Sequence, residues 1–317
     1  MRDFGIRYTH QILSYTHAPS SDLMSTMAQH SHRFMTVRDM LAEANDSVRH
    51  KSPISPEELE SMVDFVLDTR ALTAKSNPEW SFQVSSSNLN FIKQIDESTG
   101  VLRSRSWIKV DDVPPQVLFY CLYDPTTRMA FDKFYDRFQV SRRVEPGLDV
   151  LISEIDTPMG LSNREFLEWR RCRLPDLSRP PASRSSIQYV IYLRSCADAE
   201  CSTDIRPSTK KVERAEVWLS GYVIQWWLDE NGQPLGSELL VMSQIDSRGH
   251  IPKFLANSAT SSSPSKWALS LTEAAKKLCA SKNIDMKMSD AEIEKCLGVC
   301  VFPATPEERG RVPVESN

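Results

Sequence analysis

The chain has 317 residues, a formal charge of −4 at pH 7 and a pI near 5.9, with 40% hydrophobic and 25% charged residues. That length holds one large domain with extensions, or two domains; mild acidity without a basic stripe argues against a nucleic-acid partner, and no apolar run is long enough for a membrane-spanning helix. Seven scattered cysteines suggest reduced thiols and a cytoplasmic setting rather than a disulfide framework.

Residues 1–55 read as a polar, Met-rich extension, ordered only in part, with Met24, Met27, Phe34, Met35 and Met40 on an uncapped amphipathic stretch. No continuous apolar core marks a secretory signal; the scarcity of acids up to Val37 leaves room for an organelle transit peptide. Ser55-Pro56-Glu57-Glu58 predicts a helix start with proline at the first position. Leu59, Met62, Val63, Val66 and Leu67 continue it on one face, and Asn77-Pro78 closes it. From Trp80 the period becomes two. Ser81–Ser87, Leu89–Ile95 and Val101–Val110 read as strands, and Pro114-Pro115 opens a short helix through Leu122.

Phe138–Glu145 and Leu148–Ile155 pair across Pro146-Gly147. A loop over 156–163 follows, with Met159 and Leu161 at its tip. Arg164–Leu174, Ser186–Cys196, Val212–Leu228 and Ser237–Asp246 complete about nine strands joined without crossover helices, so the sheet is expected to be antiparallel and curved. A long helix starts at Pro252, with Trp267, Leu271, Ala274 or Ala275, and Leu278 on its apolar face. Pro264 is expected to kink or divide it. A capped segment from Ser289 to Leu297 precedes a tail rich in Pro, Glu and Arg that reads as disordered. The resulting division is an extension over 1–55, a domain over 56–280 and a short helix with tail over 281–317.

Catalytic chemistry has little to stand on. Five of the six histidines fall in the first 50 residues, so no Ser-His-Asp or Cys-His set can be assembled within the domain. His30 and His32 have no Cys or carboxylate cluster to complete a metal site. Glycine-rich phosphate loops are missing, and no cofactor is expected. What remains is charge on strands that otherwise read as core. Val150, Ile152 and Glu154 share one face of their strand; Arg164, Phe166, Glu168, Arg170 and Cys172 share one face of the next. A carboxylate and a guanidinium so placed are tolerable in an interior only as a pair. They form either an outer salt bridge or a polar spot in an apolar cavity.

The ordered set Trp80, Pro114-Pro115, Arg128 with Phe131-Asp132, Arg164-Glu165-Phe166, Arg214-Ala215-Glu216, Gly221-Tyr222, Asp246, Gly249, Ile251-Pro252, Asn257 and Pro264 resembles the StAR-related lipid-transfer (START) family over about residues 56–280. Phe131-Asp132 stands where the family often has Trp-Asp, and Arg164-Glu165-Phe166 where it often has Arg-Asp-Phe. The resemblance implies an α+β helix-grip fold: a curved antiparallel sheet around a long C-terminal helix, enclosing an apolar cavity for one lipid. It matches Glu154 and Arg170 to the buried acid and arginine of the sterol-binding branch. With the same-face patterns, it assigns lipid contact to Ile152, Glu154, Phe166, Arg170, Asn257, Trp267 and Leu271, and membrane contact to Met159 and Leu161. Helix and loop 156–163 are expected to act as a gate. A monomeric, non-enzymatic carrier of a phospholipid or sterol, touching membranes transiently, is the leading expectation. Its rivals are a non-transferring lipid sensor, a cyclase- or hydratase-like enzyme using Glu154 or Glu168, and a solid-cored interaction module.

Overall fold

Period-two runs bounded by turn residues leave each strand one side chain deep on either face, and here both faces find cover. The computed structural model describes residues 52–67, 81–95, 101–157, 162–175, 177, 184–200, 211–248 and 253–298. By its contacts the chain divides into units 1–40 and 41–317, and every described residue belongs to the second. The elements are α1 (Pro56–Leu67), β1 (Ser81–Ser85), β2 (Leu89–Ile95), β3 (Leu102–Asp111), α2 (Pro115–Tyr123), α3 (Pro125–Phe131), β4 (Tyr135–Glu145), β5 (Leu148–Ile155), β6 (Asn163–Arg173), β7 (Gln188–Ser195), β8 (Val212–Arg214), β9 (Glu216–Leu228), β10 (Pro234–Asp246), α4 (Lys253–Lys282) and α5 (Asp290–Leu297).

One sheet runs in the order β1-β2-β3-β10-β9-β7-β6-β5-β4, antiparallel at every step. β8 stands off this path and pairs with β6 in parallel. The single strand expected over Val212–Leu228 is therefore two. The break is Ala215, whose N–H donates to the Glu165 carbonyl at 3.0 Å. At the open edge, β4 carries three register breaks against β5 and mostly exposed or half-exposed side chains, among them Arg142, Arg143 and Glu145.

α1 lies on the convex face. Its start is capped as expected, with Ser55 Oγ accepting from the Glu58 N–H at 3.1 Å. The Glu58 carboxylate instead reaches across to the sheet, accepting from Tyr192 Oη at 3.1 Å and Arg194 Nη2 at 3.2 Å. Leu59, Met62, Val63 and Val66 are buried, and Arg105 stacks its guanidinium 4.6 Å from the Phe65 ring centre. The helix closure expected near Asn77-Pro78 lies outside the described residues.

On the concave side, α2, α4 and α5 close one core. Val117, Leu118 and Cys121 of α2 meet Ala268, Leu271, Ala275 and Cys279 of α4, Ile293 and Leu297 of α5, and Ile108, Ile224 and Leu239 of the sheet. α4 runs unbroken through Pro264, contrary to the expected division. The packing of the turns beyond it offsets the one backbone hydrogen bond a proline forfeits. α3 had no counterpart in the sequence reading, although Asp124-Pro125 is a cap followed by proline, and Asp124 Oδ1 accepts from the Thr127 N–H at 2.8 Å.

α1 approaches the sheet tightly at Gly221 of β9, where an added Cβ would fall inside the contact radius of Met62 Sδ. Gly221→Ala should lower the unfolding free energy by about 1–3 kcal/mol through overpacking. With Met62→Ala added, the loss in urea unfolding should be smaller than the sum of the two single losses; strictly additive losses would show that α1 does not bear on β9 there.

Candidate functional site

Strand alternation decides which side chains look inward. Pairing of Ser153 with Phe166, Leu151 with Glu168 and Asp149 with Arg170 puts the odd residues of β5 and the even residues of β6 on the concave face. Continued through β7, β9 and β10, that face lines an open cavity of about 90 Å³. Leu122, Phe138, Ile155, Phe166, Ile191, Leu193, Val217 and Ile245 form its apolar wall. Arg128, Tyr135, Ser153, Glu168, Arg170, Ser220, Tyr222 and Ser243 are its polar lining. Convergent polar groups set in an apolar wall are the make-up of a small-ligand site, and this hollow has to widen to reach the roughly 300–1,000 Å³ of an occupied one.

Three charged side chains hold the polar end. Arg170, 1% exposed, forms a two-pronged pair with Asp149: Nε donates to Oδ1 at 3.0 Å and Nη2 to Oδ2 at 2.6 Å. Its Nη1 donates to the Tyr123 carbonyl at 2.7 Å, and the Tyr123 ring centre lies 4.0 Å from the guanidinium. Arg128 pairs with Asp132 at 2.9 Å, one helical turn on. The rings of Phe131, Tyr135, Phe138 and Trp267 stand 5.4, 5.4, 6.0 and 5.5 Å from it. Trp267 Nε1 donates to Asp132 Oδ2 at 2.9 Å, so the indole backs the pair rather than lining the hollow.

Glu168, 6% exposed, forms no ion pair of this kind and accepts no side-chain hydrogen bond among the described residues. Burial pushes its carboxyl up to about 7, against the smaller opposing pull of Arg170 and Arg128. Burial likewise pushes the Cys121 and Cys172 thiols up to about 12, leaving them unreactive near neutral pH.

The two Arg-containing triplets tie neighbouring strand ends together. Arg164 Nε donates to the Ser247 carbonyl at 2.6 Å and Nη2 to the Arg248 carbonyl at 3.1 Å, holding the turn that precedes α4. Glu165, on the convex face, bridges Arg137 at 2.6 Å and Arg214 at 2.8 Å. Glu216 pairs with Arg248.

The structure brings Phe166 and Arg170 together in the cavity but turns Ile152 and Glu154 to the opposite face of β5. The expected Glu154–Arg170 pairing is not formed. Glu154 instead accepts from Asn163 Nδ2 at 2.9 Å, and the carboxylate opposite Arg170 is Asp149. Leu271 is fully buried in the helix–sheet core, away from the cavity lining. Asn257 belongs to α4, but its side chain lies outside the described residues, as do Met159 and Leu161. Arg128 had been noted only as part of a motif and Asp149 not at all; the signal for Asp149 was its place, two residues before Leu151, on the face opposite Glu154. Among the described residues no group of His, Cys, Asp and Glu could hold a metal ion, and no helix is long and apolar enough to cross a membrane.

A family model described as START domain matches residues 67–281, more than half of the chain. Among solved structures of similar fold, the crystal structure of human STARD10 is 17% identical, with 74% of this chain and 85% of that one covered and a TM-score of 0.59. Human StAR-related lipid transfer protein 5 is 12% identical, with 70% and 99% covered and a TM-score of 0.53. At these identities the likeness is one of fold, the helix-grip arrangement of sheet and C-terminal helix. No curated protein matches.

Arg170→Leu should cost about 3–5 kcal/mol in urea unfolding by stranding Asp149, and Asp149→Asn in the same chain should restore much of it; a loss under 1 kcal/mol would mean that Asp149 finds water or another partner. Glu168 should leave a pH signature. A carboxyl whose folded-state pKa is raised favours folding while protonated, a contribution whole below about 4.5 and gone above about 7. From pH 4 to pH 8 the wild type should therefore lose on the order of 3 kcal/mol relative to Glu168→Gln, and parallel stability curves would refute the shift.

Proposed function

Because this chain belongs to the START-domain family, we propose that it binds one lipid in the cavity on the concave face of its curved sheet and carries it between membranes. The observation that supports this most directly is the cavity itself: apolar over most of its wall and polar at one end, where Arg128, Glu168 and Arg170 meet. Once the cavity of about 90 Å³ widens to admit it, the hydrocarbon lies against Phe138, Phe166, Ile191, Leu193 and Ile245, and the polar end reaches the charged cluster.

The energetics favour a carrier. A diacyl lipid with about 30 methylenes loses on the order of 24 kcal/mol on entering water, at about 0.8 kcal/mol per methylene. A cavity exchanges one hydrocarbon environment for another, so loading and release stay near balance while the aqueous step is avoided. Access is the remaining requirement. The first turns of α4 and the loop after β5 serve as the gate, with Met159 and Leu161 touching the membrane and Asn257 facing the lipid. Serines 258, 261, 262 and 263 and Pro264 give that part of α4 low intrinsic helical stability, suited to lid motion in microseconds to milliseconds. Carriage needs no bond making, and a monomer suffices.

The full chain purified from a eukaryotic host should show, by native mass spectrometry, one lipid per chain, and should move that lipid between vesicles. Ser243→Trp, which fills the cavity from β10, should abolish both while the thermal transition persists. Protein of bare-chain mass that accelerates no transfer would overturn the reading.

A further inference from the structure

We propose that Glu168 makes this cavity select a lipid whose polar end is an uncharged hydroxyl group over one that ends in a phosphate. The inference rests on the carrier reading and concerns the polar end of the same cavity.

Both guanidiniums there are already committed. Arg170 spends Nε, Nη1 and Nη2 on Asp149 and the Tyr123 carbonyl. Arg128 pairs with Asp132 and hydrogen-bonds Tyr222. Two cations thus meet three carboxyls: Asp132, Asp149 and Glu168. A phosphate brought to this spot adds negative charge where the arginines are already neutralised, and Glu168 repels it whenever ionised.

One acceptor in the cavity remains without a partner: the Glu168 carboxyl accepts nothing from the described side chains. A hydroxyl group answers it, because its hydrogen goes to Glu168 while its oxygen receives a hydrogen from a hydroxyl of the lining. Ser153, Ser220, Ser243 and the Tyr222 hydroxyl line the same space and can extend the network.

Protonation makes the match firmer. The charged and titratable groups facing Glu168 are Arg128 with Asp132, Tyr135 of β4, Asp149 of β5, Arg170 on its own strand and Tyr222 of β9. Among them Glu168 is the group poised to change state near neutral pH, because burial raises it to about 7. A hydroxyl both donates and accepts, so it satisfies either state of the carboxyl. An ionised phosphodiester only accepts and is compatible with the protonated state alone.

The test offers the full-length protein phosphatidylcholine vesicles doped with diacylglycerol, with its acetate ester, or with phosphatidic acid of the same acyl chains; cholesterol and its methyl ether form a second pair. Lipid recovered on the protein is measured at pH 7. The free hydroxyl should win over its capped form and over phosphatidic acid by about tenfold, the factor for one charge-assisted hydrogen bond. Glu168→Gln, checked for an intact thermal transition, should shrink that preference and raise phosphatidic acid recovery. The capped-against-free comparison needs no variant. Equal recovery of capped and free lipid, or a preference for phosphatidic acid, overturns the proposal. Recovery of phosphatidylcholine alone overturns it too but leaves the carrier reading standing, whereas recovery of no lipid at all sinks both.

Discussion

A guanidinium held under a sheet, away from water, keeps its charge and is costly there unless a partner, best of all a carboxylate, meets it at hydrogen-bond distance. That constraint organises the interior of this protein. Asp149 and Arg170 sit opposite one another on adjacent strands, and their two-pronged contact ties β5 to β6 at the floor of the cavity. Arg128 and Asp132 repeat the arrangement within one turn of chain, wrapped in aromatic rings. With the cations neutralised locally, the space between them can remain hollow without gathering net positive charge. The odd carboxyl, Glu168, is then what sets the character of the hollow.

The convex side is closed by different means. α1 precedes the segment matched to the family, yet Glu58 reaches Tyr192 and Arg194, and Arg105 caps Phe65. α5 follows that segment and brings Ile293 and Leu297 into the core beneath α2 and α4. Its Asp290 and Glu294 accept from Trp226 and Tyr189 of the sheet. Both flanking helices thus brace the walls and leave the cavity lining to the strands and to α2 and α3.

Much of this was legible in the sequence. Alternation fixed most strand spans, and the ordered motifs pointed to the helix-grip fold. What alternation could not supply was the inward direction of β5. That strand is buried on both faces, so apolar residues occur at odd and even positions alike, and Glu154 looked as suitable a partner for Arg170 as Asp149. Only the register across the loop between β5 and β6 separates them, and a loop of that length does not encode it. The even face of β6 was read correctly because Phe166, Glu168 and Arg170 alternate with no competing set of charges. The break at Ala215 is hidden because a run of strand-forming residues continues through it, and α3 because its seven residues carry too short a pattern.

The rim strand β4 has an effect beyond the lipid cavity. An uncovered strand edge offers free N–H and C=O groups to any passing strand, including another copy of the same chain. Here three irregular steps against β5 spoil the ladder's spacing, and Arg142, Arg143 and Glu145 stud the border with charge. A newcomer could align only a few residues before losing phase, and it would have to strip water from ions to do so. A molecule built around a greasy hollow is thereby shielded from polymerising through its flank, even when crowded at high local concentration.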